Sequence, residues 1–566
     1  MAETRPKVTI TEESIQAAPI FSATGRVAYV VHSEKGLYDE FIYVSDEKDL
    51  LNKIGEPTDI ITSVDFNICK SFLSYGNDLV LQRALDEDVA QFSRLGIDWD
   101  YATGETLTNT LNDTGDEKFF INPDGHTMKT GMDLEFYAKE AYDTDDLVIG
   151  IAKFETSTGV ATWQDFEDTI SIGGTATKYS DIFEFGPDPD KKEFCVVVVK
   201  DGALVENFIV STTSGQKNDS GVNEYITDYL KVTSAYINGF SSAEAVYDNI
   251  TTQTLTLAGG SRGFTTTRLS STYTETAYSK FSGKNDIEFD YVIDGINSGN
   301  RGYIITSIAE ARLDCIAFVG PQESNIFSGS GTSAVPLVSV DTIVTNIIAD
   351  RIALGYSSWS CYFGQWIQKY DKYLDRNIWI PVTGDIAGNK VNTNTQRETW
   401  TPAAGTTNGI LRNVLKLAFN PSANQQNELY KNGVNHIINK PGKGILVDGQ
   451  KTMWNKNVGV SRLNIRDLFR VVEVAIGKAA IDFLHEFNDA LTRNRFRNVV
   501  VPFLDDIVVR RGIVEYELIT DESINTPAVI DNYGFRVEVK IKGNRPIEDI
   551  TIKFFDVPNS VGFDEV

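Results

Sequence analysis

The sequence is poor in the residues from which catalytic and metal centres are assembled, with four histidines and four cysteines among 566 residues. His32, His126, His436 and His485 are scattered, and the His485-Glu486 pair lacks the second histidine of a helical zinc site. Cys69, Cys195, Cys315 and Cys361 stand far apart in apolar runs such as FNICKSF and EFCVVVV, with no Cys-x-x-Cys. That pattern favours buried thiols in a reducing compartment over disulfides or zinc. No Gly-x-Ser-x-Gly elbow occurs. The stretch GILVDGQKT, Gly444 to Thr452, fails as a phosphate-binding loop because Gln450 separates Gly449 from Lys451, and no apolar strand runs into its first glycine. Acidic clusters such as YDTDDL and GPDPDKKE lack the ligand spacing of a calcium loop and read as solvated turns. The sequence therefore points to no catalytic residue, no metal and no cofactor.

Long apolar runs are missing too. No segment approaches the ~18 residues that a membrane span requires, and MAETRPKVTITEES lacks the apolar core of a secretory signal. The expectation is synthesis and folding in a cytoplasm, which makes the Asn-x-Ser/Thr matches at Asn112, Asn218 and Asn249 incidental. Basic charge is short: the formal net charge is -27. From Thr401 onward 21 Lys and Arg face 20 Asp and Glu, so the acidity lies almost wholly in the first 400 residues. An acidic body argues against nucleic-acid binding, which depends on neutralising phosphates, and favours solubility at high concentration.

What is present is an ordinary globular composition, 41 % hydrophobic and 23 % charged, in a chain long enough for about three or four domains. PKVTIT, residues 6 to 11, reads as a short strand followed by a polar connector. From Thr24 the text gives a strand, a loop, a strand ending in Val44, a short helix opened by Ser45, a helix stopped at Gly76, and a strand over Leu79 to Leu81. Between about 98 and 300 Thr, Ser, Gly and Asp become dense around short β-like runs. FCVVVVKDGALVENFIV, with a turn at Asp201-Gly202, is one of them, and the region reads as a mostly β insertion. Apolar strand text resumes at LDCIAFVGP, and a helix is expected over about 339 to 353.

Apolar residues then recur at three- and four-residue spacing from Ile465 to Leu491, predicting one long helix over about 461–495. Arg462, Arg466 and Arg470 share its face, and Arg493, Arg495 and Arg497 cluster beyond it, a local basic surface on an acidic chain. Near the terminus Phe535, Val537, Val539 and Ile541 alternate with Arg536, Glu538, Lys540 and Lys542, the pattern of a strand with one dry and one wet face. After Gly543-Asn544-Arg545-Pro546 a second strand is marked by Ile550, Ile552 and Phe554. A strand at each end of the chain must close its own sheet or add to another's.

Several separated stretches resemble the contractile-tail sheath proteins of myophages, a family shared with R-type pyocins and type VI secretion-like sheaths. GRVAYVVHSEKGLYDEFIYVSDEKDLLNKIGEP, with loop glycine Gly36, followed by KSFLSYGNDLVLQRAL, ending near Arg83, is similar to the family's N-terminal block. IQKYDKYLDRNIWIPVTGDIAG matches a further motif through Trp366, Tyr370, Asp371, Pro381, Gly384, Ala387 and Gly388, with Val382 in place of a second proline. ETWTPAAG matches through Trp400, Pro402, Ala403, Ala404 and Gly405. NELYKNGVNHIINKPGKGILVDGQKTM, with Lys451 and Met453 as departures, and SRLNIRDLFRVVEVAI complete the series in family order. Residues 98–300 give no match.

The resemblance implies an α+β or α/β multidomain fold: a sheath core with terminal strands exchanged between subunits, plus a mostly β, outward-facing inserted domain. It divides the chain into an N-terminal strand arm (1–20), core (21–97), insertion (98–300), core (301–390), an inner C-terminal domain (391–545) and a C-terminal strand arm (546–566). It implies a non-enzymatic subunit that polymerises as stacked hexameric rings around a tail tube and contracts to drive that tube through a host envelope. Implied partners are other copies, the tube protein, and baseplate and terminator proteins, with no nucleic acid and no membrane insertion; the implied location is the virion tail, assembled in the host cytoplasm. Exchanged strands would involve Val8, Thr9, Ile10, Phe535, Val537, Val539, Ile541, Ile550, Ile552 and Phe554. Tube-facing basic residues would be Arg462, Arg466, Arg470, Arg493, Arg495 and Arg497. Two other readings place a glycan hydrolase using an Asp/Glu pair, or a receptor-binding module, in the insertion.

Overall fold

The computed structural model describes residues 25–37, 40–85, 94–99, 106–109, 133–139, 147–156, 162–218, 220–257, 268–296, 298–548 and 551–552. Its centre is a seven-stranded sheet built from β1 (Val27–Val31), β2 (Ile42–Val44), β3 (Leu79–Arg83), β4 (Tyr291–Ile293), β5 (Ile316–Val319), β6 (Ser360–Phe363) and β7 (Val434–Asn435). The spatial order is β2-β3-β1-β4-β5-β6-β7. All neighbours run parallel except β2, which is antiparallel to β3. A parallel sheet needs both faces covered. Accordingly VAYVV, LVLQR, YVI, IAFV and SCYF are buried along their whole lengths and do not alternate.

The covering helices include α1 (Glu47–Ile54), α2 (Ile60–Leu73), α3 (Val340–Ala353) and α4 (Thr383–Gln396). The sequence placed the start of α1 at Ser45, but the cap is Asp46, whose carboxylate accepts the Asp49 N–H at 2.8 Å. The helix expected over about 339 to 353 is α3, and Ser339 caps it. Helices α2 and α4 touch through the small residues of the GDIAG stretch. A Cβ on Gly384 would stand 2.4 Å from the Ile68 carbonyl oxygen, and one on Gly388 would stand 2.7 Å from the Tyr75 ring. Backbone cannot yield as a flexible side chain can, so Gly384→Ala is expected to destabilise the subunit by about 1–3 kcal/mol. A chemical-denaturation midpoint equal to the parent's would contradict this close approach.

Two signals of the N-terminal block meet in space. Arg83, at the end of β3, is fully buried and donates to the carbonyls of Gly36 at 2.9 Å, Ser33 at 3.2 Å and Glu34 at 3.2 Å. Three backbone acceptors that would otherwise be left in the interior are thereby satisfied, and the loop is fixed to the sheet. Gly36 has φ +122°, and a Cβ there would meet Ile42 at 3.0 Å and the Lys53 carbonyl at 3.1 Å.

Two four-stranded antiparallel sheets stand between β3 and β4 in sequence. One has the order 203–211, 193–200, 147–152, 253–256; the other 237–241, 134–138, 94–99, 106–109. Leu95, Phe136, Ile149, Val196 and Ile237 are buried in one core that both sheets share. Strand 193–200 is buried on its other face as well, where Cys195 and Val197 join Trp163, Phe166 and Tyr179, which is why EFCVVVV reads as a continuous apolar run. Its turn is at Asp201-Gly202, both with positive φ, as a tight hairpin requires. Strand β4 and the helix Ser271–Ser279 lie within 98–300 in sequence, yet Tyr291, Val292, Ile293, Ala277 and Tyr278 belong to the core of the seven-stranded sheet. Sheet membership thus separates this region from the core before residue 300.

The predicted long helix is two helices, α5 (Leu463–Ile481) and α6 (Ala490–Val509). Asp489 starts the second by accepting the Thr492 N–H at 2.8 Å, and His485 at the break has φ +71°. The reversal lets Phe496, Val500 and Leu504 of α6 pack back on Leu468 and Val472 of α5. Ile481, Leu484, Phe487 and Leu491, which continued the apolar period in sequence, are instead 62–85 % exposed. No glycine or proline marks the break between Ile481 and Asp489, so periodicity alone runs through it.

Candidate functional site

The C-terminal strands form a small sheet of their own, β8 (Ile513–Ile519) antiparallel to β9 (Glu538–Gly543). The register pairs Tyr516 with Ile541, Glu517 with Lys540 and Leu518 with Val539, with a bulge between Ile513 and Glu515. The alternation read from sequence is therefore real. Val539 and Ile541 turn toward α5 and α6, while the wet face carries the cross-strand pairs Lys540–Glu517 at 2.9 Å and Lys542–Glu515. The paired strand begins at Glu538, not at Phe535. Phe535 packs edge-on against Phe496 at 5.5 Å, and Asn525 grips both the N–H (2.7 Å) and the carbonyl (2.9 Å) of Arg536 before the ladder starts.

Among the described residues no third strand pairs with this sheet, so both outer edges present backbone donors and acceptors. A two-stranded sheet is marginal without packing partners. Here the helices support one face, but Val539 and Ile541 remain only half-buried. Ile547 and Ile552, past the end of β9, are 81 % and 68 % exposed. Val8, Thr9, Ile10, Ile550 and Phe554 lie outside the described residues.

The six arginines do not form one basic surface. Arg466 is buried, lies over the Trp359 ring at 3.8 Å and pairs with Glu473 at 2.5 Å. Arg470 is fully buried and bonds Asp467 at 2.8 Å and Asp290 at 2.6 Å. Arg493 is buried beside Asn488. Arg462 is held by Glu548, and Arg497, though exposed, donates to the Leu518 carbonyl at 3.0 Å. Arg495 is exposed, 3.7 Å from Glu486. Shared helical spacing identified a common face, but at Arg466 and Arg470 that face looks inward, where Glu473 of the same helix meets Arg466, and Asp467 together with the distant Asp290 meets Arg470. This burial withdraws Arg466, Arg470 and Arg493 from any surface that could meet a tube.

Sequence reading missed the network to which Arg470 belongs. Asp467 on α5 takes Lys390 of α4 at 2.8 Å, Arg470 at 2.8 Å and the Tyr291 hydroxyl of β4 at 2.7 Å; Asn394 donates to that hydroxyl at 2.7 Å. Burial alone would raise the Asp467 pKa, yet Lys390 and Arg470 hold it below the usual carboxylate range. One charge cluster thus fastens the C-terminal helices to the central sheet. The ETWTPAAG stretch supports the same region, because the Trp400 indole donates to the Arg510 carbonyl at 3.2 Å and a Cβ on Gly512 would meet its ring at 2.8 Å.

No protein-family model matches the chain. The tail sheath protein of Enterobacteria phage T4 is 27 % identical to it over 663 aligned positions, covering 99 % of this chain and 98 % of that protein. The tail sheath protein of Vibrio phage KVP40 is 26 % identical over 96 % of this chain and 97 % of that one. The chain is similar to tail sheath proteins along nearly its whole length. The crystal structure of a sheath tail protein from Listeria innocua superposes with a TM-score of 0.52 at 9 % identity, covering 89 % of this chain and 90 % of that one, which shows a common fold. The sheath-like motifs acquire physical roles accordingly: Trp366 donates to the Pro321 carbonyl at 3.0 Å, Asp371 accepts from Ser63, and Gly384 and Gly388 admit α2.

Proposed function

We propose that this chain is the structural subunit of a contractile tail sheath and polymerises as stacked hexameric rings around a tail tube. It contracts without nucleotide hydrolysis, and neighbouring copies are joined by exchanged strands. The observation that carries this reading is the β8/β9 sheet, two-stranded among the described residues, in a chain alignable over nearly its whole length with sheath proteins. Residues around Val8–Ile10 of one copy and Ile550–Phe554 of another add to that sheet, where backbone hydrogen bonds give affinity and alternating side chains give register. The Asp467 cluster makes each subunit a rigid body, so the sheath changes radius by moving whole subunits on flexible arms. Its energy is stored as a metastable packing of folded subunits.

The two antiparallel sheets between β3 and β4 decorate the outside. Arg495 and Arg497 remain candidates for contact with the tube; baseplate and terminator proteins meet the sheath at its ends, in the virion tail assembled in the host cytoplasm. Negative-stain microscopy of purified protein tests the assembly: rods or rings are expected, whereas small discrete particles under all conditions would contradict it.

A further inference from the structure

Beyond β9 the chain does not leave freely. Gly543 lies so close to α5 that a Cβ on it would stand 3.0 Å from Ile465. The Asn544 N–H donates to the Gly512 carbonyl at 3.0 Å, and its amide donates to the Arg511 carbonyl at 3.1 Å. Four residues on, Glu548 makes a two-pronged ion pair with Arg462, 2.6 Å to Nε and 2.8 Å to the second guanidinium nitrogen. Arg462 is itself well fixed. It immediately precedes α5, bridges through its backbone to Lys451, and donates to the Ser461 hydroxyl at 3.1 Å. The Lys451 ammonium stands 4.0 Å from the Tyr430 ring and donates to the Tyr430 carbonyl at 2.7 Å, so Glu548 enters a pocket of positive potential. Arg462 and Glu548 are both only partly exposed, 21 % and 32 %, where a bidentate pair is screened less than on an open surface.

The contrast with the apolar residues is the decisive point. Among the described residues Glu548 has a seat for its charge, whereas Ile547 and Ile552 are exposed. We infer that the Arg462–Glu548 pair is a clamp at the root of the C-terminal arm, fixing the direction in which the strand leaves so that it reaches a second copy's β8/β9 sheet already oriented. This rests on the strand-exchange reading. Its physical effect is preorganisation: a root held at Asn544 and again at Glu548 loses less conformational freedom when the neighbour binds the strand. The clamp weakens in acid, because hydrogen bonds from Arg462 and Tyr430 overcome burial to hold Glu548 below its usual pKa. It is intact above the ordinary glutamate range and lost as pH falls through the depressed value.

The test uses full-length subunits and reads two quantities, the critical concentration for polymerisation by sedimentation and the melting midpoint of unpolymerised protein. Glu548→Gln and Arg462→Glu are each expected to raise the critical concentration about tenfold, as loss of a charge-assisted bidentate contact implies. The melting midpoint falls only slightly, as for a partly exposed ion pair, and the double reversal Arg462→Glu with Glu548→Arg recovers most of the assembly loss. Deletion of 549–566 in the same assay separates the two ideas. If the deletion abolishes polymerisation while the single variants polymerise at the parent's concentration, the clamp is wrong and strand exchange stands. If the deleted chain polymerises normally, strand exchange fails, and the clamp with it.

Discussion

Asp467→Ala lowers the unfolding midpoint of the C-terminal helices by roughly 6–12 °C, the shift expected for a loss of about 3–5 kcal/mol in a unit of this size. The reason lies in what the substitution leaves behind. Lys390 and Arg470 are both buried, and without Asp467 the ammonium keeps only the Asn394 amide oxygen and the Thr399 carbonyl as acceptors. Arg470 retains Asp290 at 2.6 Å, so the uncompensated charge is chiefly that of Lys390. Asp467 accepts from the Tyr291 hydroxyl, and Tyr291 lies on the central sheet, so the damage concentrates at the joint between that sheet and α5. Circular dichroism of unpolymerised protein during heating measures the effect; a midpoint within about 2 °C of the parent's would show that the network contributes little. The pH dependence has a defined sign. A carboxylate held below its ordinary pKa stabilises the fold at every pH above the unfolded-state value of about 3.9, and its contribution disappears only as pH falls through the depressed value.

Deleting either arm, residues 1–15 or 546–566, leaves a folded, soluble subunit that no longer polymerises. The described core predicts survival of the fold, because the seven-stranded sheet and the α5/α6 pair draw their buried residues from Val27 to Leu518. Loss of assembly follows if each arm completes a neighbour's β8/β9 sheet, since its backbone bonds have no substitute elsewhere. Sedimentation shows it directly: the full chain pellets as polymer, and the truncated chains stay in the supernatant with the parent's melting midpoint. Unimpaired polymerisation by both truncations would refute the exchange.

The two predictions differ in how far the sequence could have led to them. Strands β1, β2, β3 and β5 of the central sheet were readable as short apolar runs punctuated by turn residues, whereas β4 fell inside the stretch assigned to the insertion. The β9 alternation was equally clear, since one face packs on helices and the other carries Lys540 and Lys542. The break between α5 and α6 was hidden, because Leu484 and Phe487 continue an apolar period without being packed. The Asp467 network was hidden for another reason. Its members Asp290, Lys390 and Arg470 are brought together by topology across 180 residues, and spacing along one helix cannot reveal a partner so remote. The same limit explains why Arg466 and Arg470 read as a surface when they are interior.

The central claim is that the β8/β9 sheet is completed by other copies. A cryo-electron microscopy map of the assembled polymer tests it most directly. The account predicts two added strands on that sheet, one from residues near Val8–Thr11 and one from near Ile550–Phe555, each traceable to a different neighbouring subunit. A polymer in which the sheet remains two-stranded, or is completed by its own chain, would contradict it.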